Sequence, residues 1–245
     1  MSGHSKWAKT HRQKSAQDAK RGAIFTKLAN LITMAAKEGG GDAENNFKLR
    51  LAVDKARSTN MPKDNIERAI KRGTGEAGGG NFEEVLYEII GPAKSGFIVE
   101  AITDNKNRTV SAIKAILNKN NGSLGGPNSV LWLFKKTGAV VIDLKNYSRQ
   151  SADLDELELL LIDAGAEEVE KNEDNWTIYT VPENLQKVIN NLKAKRLTII
   201  ESSLSYQPKE ELKIADQETQ AKIANLYQLL SDLDDVSNIY TNAGE

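Results

Sequence analysis

The chain has 245 residues, 39% of them hydrophobic and 27% charged, with a net charge of −1 and no cysteine. That composition suits a globular protein with room for two or three cores, and it rules out disulfides and thiolate metal sites. No apolar run reaches the roughly 20 residues that span a bilayer, and the basic N-terminus lacks the apolar stretch of a secretory signal, so the expected location is the cytoplasm.

The near-neutral total hides an uneven distribution. Of 33 bases and 34 acids, residues 1–75 hold 16 and 7, leaving 17 and 27 for the rest. Such a split suggests a module facing a polyanion, joined to acidic modules. The opening MSGHSKWAKTHRQKSAQDAKRGAIFTK carries both histidines, His4 and His11. With them come Lys6, Lys9, Arg12, Lys14, Lys20, Arg21 and Lys27 against one acid, Asp18. Its first 20 or so residues show no clean apolar period and read as an arm or a loosely helical lead-in. Trp7 among these cations suits base stacking, and it equally suits a core anchor. His4 and His11 have only Asp18 near them to orient a base or complete a metal site.

From Ile24 the pattern turns helical through Leu28, Leu31, Ile32 and Ala35, stopping before GGGD at 39–42. Asp42 is the expected cap of a second helix through Phe47, Leu51, Ala52 and Ala56. NMPKDNIERAIKRG predicts a third, with Pro62 at its start, Asp64 and Glu67 at capping-box spacing and Gly73 as its stop. This helix adds Lys63, Arg68, Lys71 and Arg72 to the candidate nucleic-acid-binding cations. GTGEAG, residues 73–78, spells G-x-G-x-x-G but follows a helix and precedes a strand. The dinucleotide fingerprint needs the reverse context, so the stretch reads as a helix cap and hinge.

Beyond it, VLYEII and FIVEAIT read as strands and are followed by a helix through Val110, Ile113, Ile116 and Leu117. TDNKNRT at 103–109 supplies turn and cap residues, and Arg108 is its candidate partner-contacting member. SVLWLF reads as another strand. GAVVID, DLDELELLLIDAG, EEVEKNED, WTIYTV, PENLQKVINNLKAKR and TIIESSLSYQ then give the β-α-β-β-α-β order of a ferredoxin-like unit. A helix (DQETQAKIANLYQLLSDLDDV) and a strand (SNIYTNA) are left over. The expected class is α+β with a basic helical domain (1–75), a discontinuous α/β domain (80–134 plus 210–242) and a ferredoxin-like domain (135–209) inserted in it.

Serines are plentiful, yet no histidine outside the arm can serve one as base. The residues therefore point to a binding protein rather than an enzyme, with no cofactor, metal or small-molecule substrate expected.

GHSKWA, QDAKRG, IFTKL, GGGD, NMPKDNIERAIKRGTG, TDNKNRT and DLDDVSNIYTNA strongly resemble the YebC family. That family includes bacterial proteins called probable transcriptional regulators and the mitochondrial translational activator of cytochrome c oxidase. The resemblance runs from residue 3 to about 243. It implies a helical N-terminal domain followed by two α/β domains, without catalytic residues or cofactor. One departure is YEIIGP, where Ile89 and Ile90 replace the commoner Gly and Tyr. The family's function is described in two ways, as DNA-binding transcription regulation and as action on the ribosome in translation. The N-terminal module shows no helix-turn-helix recognition helix rich in the Asn, Gln and Arg that read major-groove edges. A cationic arm with one aromatic suits irregular RNA, and acidic domains suit basic ribosomal proteins. Ribosomal RNA is thus the favoured partner, duplex DNA the alternative, and an acidic protein-binding scaffold with a basic tail the third reading.

Overall fold

The first helix starts earlier than Ile24. In the computed structural model, which describes residues 17–78, 81–144 and 151–244, α1 runs from Gln17 to Gly39. Leu28, Ile32, Ala35 and Ala36 recur at helical spacing and are buried, giving α1 one core-facing stripe. It closes at Gly40, whose φ of +85° suits the left-handed residue past a helix end.

α2 (Phe47–Ser58) is capped by Asn46, not by the expected Asp42. Asn46 Oδ1 accepts the Leu49 N–H at 3.1 Å, while Nδ2 donates to the carbonyls of Ala35 at 2.7 Å and Gly40 at 2.8 Å. A carboxylate cannot donate, so only an amide serves both helix ends. Asp42 forms a turn instead, accepting the Glu44 N–H at 2.9 Å. Asn46→Asp is expected to cost about 2 kcal/mol, since two carbonyls lose donors and face a charge. A thermal melt should fall by roughly 4–8 °C; an unchanged melt would contradict this role for the amide.

α3 (Lys63–Gly73) follows Pro62 without a side-chain cap. The expected capping box is replaced by a Glu67–Lys63 pair at 3.5 Å. Ile66 and Ala69 of α3 share a core with Leu28, Ile32, Leu49 and Val53. Close approach of α1 and α3 requires Gly73, where a Cβ would lie 2.3 Å from the Thr33 carbonyl oxygen.

The described chain divides into two compact units: residues 136–206, and the residues before and after them. In the second, the helices accompany an antiparallel sheet of β1 (Glu83–Ile90), β2 (Gly96–Thr103), β3 (Ser123–Leu124) and β9 (Val236–Thr241), ordered β3-β1-β2-β9. Phe97, Val99 and Ala101 of β2 pack with Ile113 and Leu117 of α4 (Lys106–Lys119) and with Ile223, Leu226 and Leu230 of α7 (Gln217–Ser231). Ile98 and Ile102 on the opposite face are also buried, and α1 lies against β2 and β9. Coverage of both faces explains the continuous apolar run in GFIVEAIT. A short parallel pair, β8 (Leu212–Lys213) and β10 (Ala243–Gly244), completes the unit.

The other unit holds most of β4 (Phe134–Asp143), then α5 (Ser151–Ala164), β5 (Glu168–Lys171), β6 (Asn175–Thr180), α6 (Leu185–Ala194) and most of β7 (Ile199–Pro208). Its strand order β5-β6-β4-β7 is the ferredoxin-like arrangement. The fold is thus α+β.

SVLWLF departs from expectation. Leu131–Leu133 form a 3₁₀ turn and β4 starts only at Phe134. The cause is Glu88 on β1, only 7% exposed. Its carboxylate accepts the N–H groups of Asn128, Val130 and Leu131 at 2.6–2.8 Å. Donors committed to Glu88 are not available to a strand ladder. Trp132 consequently stands 63% exposed, its indole N–H donating to the Ser129 carbonyl at 3.1 Å.

Candidate nucleic-acid interface

His4, Lys6, Trp7, Lys9, His11, Arg12 and Lys14 lie outside the described residues. Lys20 and Arg21 fall near the start of α1, with their side chains outside that description.

Lys27 is placed differently from the other candidates. Its ammonium donates to the Ser231 carbonyl at the C-terminal end of α7, where a cation meets the negative end of the helix dipole. Burial pushes its pKa down, and Asp234 and Asp232 partly oppose the shift. Lys27 therefore joins α1 to the sheet's helical cover.

α3 carries the best-defined cationic surface. Lys63, Arg68 and Lys71 are exposed and Arg72 is half-buried. The bland account is that Lys71 and Arg72 complement the C-terminal end of the helix dipole. That does not explain why they lack carboxylate partners among the described residues. On α2, Lys48 reaches Glu38 at 2.8 Å and Arg57 reaches Asp54 at 3.9 Å. On α3 only Lys63 has a carboxylate, whereas Arg68, Lys71 and Arg72 have none within ion-pair reach among the described residues.

Arg68 and Arg72, one helical turn apart, share a flank of α3 and are held by neutral groups. Arg68 donates from Nη2 to Asn65 Oδ1 and from Nε to the Asp64 carbonyl at 3.3 Å. Arg72 donates from Nε to Thr33 Oγ1 at 3.2 Å, and its guanidinium sits 5.2 Å from the centre of the Phe82 ring. Arg68 and Arg72 both line a groove of about 410 Å³ between α1 and α3. Its other walls include Phe25, Thr26 and Ala29 from α1, Asn65 and Ala69 from α3, and Met61 and Ala77. Neutral anchors fix a guanidinium's direction without neutralising it, leaving it able to take a phosphate.

Arg108 is engaged within the chain. Its Nη2 reaches Asp104 at 2.9 Å and both Asp235 carboxylate oxygens at 2.9 and 3.1 Å. Hydrogen bonding to Asp235 heads the causes that raise its pKa. Thr109 Oγ1 also donates to Asp235 at 2.7 Å, and Asn105 caps α4 by accepting the Arg108 N–H at 3.0 Å. TDNKNRT is thus a clasp joining β2, the start of α4 and the residue before β9.

GTGEAG continues from the end of α3, with Gly75 at φ +87° and Gly78 at φ +71°. It offers a phosphate no helix N-terminus. Past it, Lys37 Nζ reaches the Phe82 carbonyl at 2.8 Å, tying that end of the expected hinge to α1. Among the described residues no group of three or more His, Asp or Glu could hold a metal ion, and no helix is long and apolar enough to cross a membrane.

Pattern alone did not reveal the groove. The apolar periodicity singles out none of Phe25, Met61 and Phe82. Only the packing of α1 beside α3 brings them to the cations.

Comparison with known proteins covers nearly the whole chain. Residues 5–76 match the TACO1/YebC protein N-terminal domain, and residues 82–243 match the TACO1/YebC second and third domain. A probable transcriptional regulatory protein of Thermoanaerobacter pseudethanolicus is 45% identical over 242 residues, covering 99% of this chain and 96% of the relative. One of the same description from Caldanaerobacter subterraneus is also 45% identical, covering 99% and 98%. A crystal structure of a conserved hypothetical protein from Aquifex aeolicus superposes with a TM-score of 0.86 at 39% identity, covering 94% of this chain and 93% of that one.

Proposed function

The chain belongs to the TACO1/YebC family, and from that premise we propose that it is a non-enzymatic, RNA-binding regulator of gene expression acting on the ribosome in the cytoplasm. Its basic N-terminal part grips phosphates, and its acidic sheet units meet basic ribosomal proteins. One observation carries this reading: α3 presents Arg68, Lys71 and Arg72 without carboxylate partners among the described residues, in the part of the chain where bases outnumber acids 16 to 7. Cations left unpaired on a helix repel one another, and that repulsion is relieved on phosphates, with release of counterions.

The name given to relatives, probable transcriptional regulatory protein, favours duplex DNA as a second reading. Sedimentation of cell extract separates the two. On the ribosomal reading the full chain travels with ribosomal subunits at low salt and leaves them as salt rises. Its absence from those fractions, together with tight binding to duplex DNA, would overturn that reading. Binding to neither nucleic acid would favour the scaffold.

A further inference from the structure

We infer that the groove between α1 and α3 receives one unstacked nucleotide of a single-stranded RNA, its base against Phe25, Ala29 and Met61 and its phosphate on Arg68 and Arg72. The inference rests on the RNA-binding reading and adds a site to it.

The geometry fits this occupant on three counts. A volume of about 410 Å³ lies in the range of small-ligand sites. The apolar wall is real: Met61 and Ala69 are buried, and Phe25 and Ala29 half-buried. An apolar wall with one aromatic ring, Phe25, beside a cation is what a base joined to a phosphate needs. Charge complementarity supplies the third count. Arg72 uses Nε on Thr33 and rests on Phe82, so its Nη donors remain for a ligand. Arg68 keeps Nη1 after bonding Asn65 and Asp64. Two pre-oriented guanidiniums suit the planar, bidentate contacts that phosphate oxygens accept. Glu76, beyond Ala77, is held by a Thr74 hydroxyl that donates to it at 3.0 Å. A base paired in a duplex cannot enter such a groove, whereas a splayed base in an RNA loop can.

The test uses the full chain and a fluorescent decauridylate. Ala29→Leu fills the groove without changing charge. It should weaken binding at least about fivefold, the loss expected for one stacked base, with no change in the slope of log affinity against log salt. Arg68→Gln should weaken binding and reduce that slope by about 0.7, one phosphate contact. Arg68→Lys should keep the slope and still bind more weakly, because the fork is lost. A titration of the unmodified chain with uridine monophosphate, followed by NMR, needs no variant. The amide signals of Thr26, Asn65 and Arg68 should move together. Wild-type affinity in both Ala29→Leu and Arg68→Gln, with binding lost in variants of the N-terminal arm, would overturn the groove and leave the RNA reading standing. Capture of an acidic peptide that RNA does not displace would overturn it too. No RNA binding by any of these chains would overturn both.

Discussion

Replacing Lys6, Arg12, Lys14, Lys20 and Arg21 together by alanine is expected to weaken binding to single-stranded RNA by several-hundred-fold near physiological salt. The magnitude follows from counterion release. Each neutralised phosphate contributes about −0.7 to the slope of log affinity against log salt, so five contacts contribute roughly −3.5. The fold should survive the change. The first three residues precede α1 in the sequence, Lys20 and Arg21 lie near its start, and the buried stripe of the described side chains begins at Leu28. Trp7→Ala should act differently, costing about 1–3 kcal/mol of affinity at unchanged slope if a base stacks there. If Trp7 anchors a core instead, the melting temperature falls with the affinity. A fivefold-substituted arm with unchanged slope and unchanged ribosome association would exclude the arm as the binding surface.

The second large effect is on stability. Glu88→Ala is expected to cost about 3 kcal/mol, because buried N–H groups lose a charged acceptor. The Val130 amide is the most enclosed of the three, bonded at 2.7 Å. Hydrogen exchange should show the Val130 and Leu131 amides protected in the natural chain and open in the variant. Equal protection in both would contradict the assignment. The pH dependence has a definite sign. Burial alone pushes the Glu88 carboxyl up, but hydrogen bonds from Val130, Leu131, Asn128 and the Ser129 hydroxyl outweigh it and hold its pKa below the ordinary value. A group depressed in the folded state contributes stability that is complete above its unfolded pKa, about 4.3 for Glu. That contribution is lost as pH falls through the folded pKa. The advantage of the natural chain over Glu88→Ala should therefore be full at neutral pH and shrink in acid.

Much of the fold was legible because apolar periodicity survives in the sequence. The ferredoxin-like order could be read from six consecutive elements, and the stripe Leu28, Ile32, Ala35 marked α1. Misreadings arose where one side chain outside the segment decides its conformation. Asp42 is a good cap by residue type, yet Asn46 wins because it must donate to α1 while accepting from α2. SVLWLF has strand composition, but Glu88, some 40 residues earlier, takes the N–H groups a strand would use. The cations show the same limit. Lys27 and Arg108 resemble their neighbours in composition, and only the fold sets one against Ser231 and the other against Asp235. Arg68 and Arg72, by contrast, sat in a motif that singled them out, and packing left them on neutral groups without a carboxylate among the described residues.

The central claim is that this chain binds RNA through phosphate contacts made by its basic N-terminal part. Equilibrium titration of the full chain against single-stranded RNA and duplex DNA of equal length, repeated over a range of salt, tests it most directly. The expected result is tighter binding to RNA, with a steep salt slope that shrinks when the arm cations are removed. Tighter binding to duplex DNA, or an RNA affinity indifferent to salt, would contradict it.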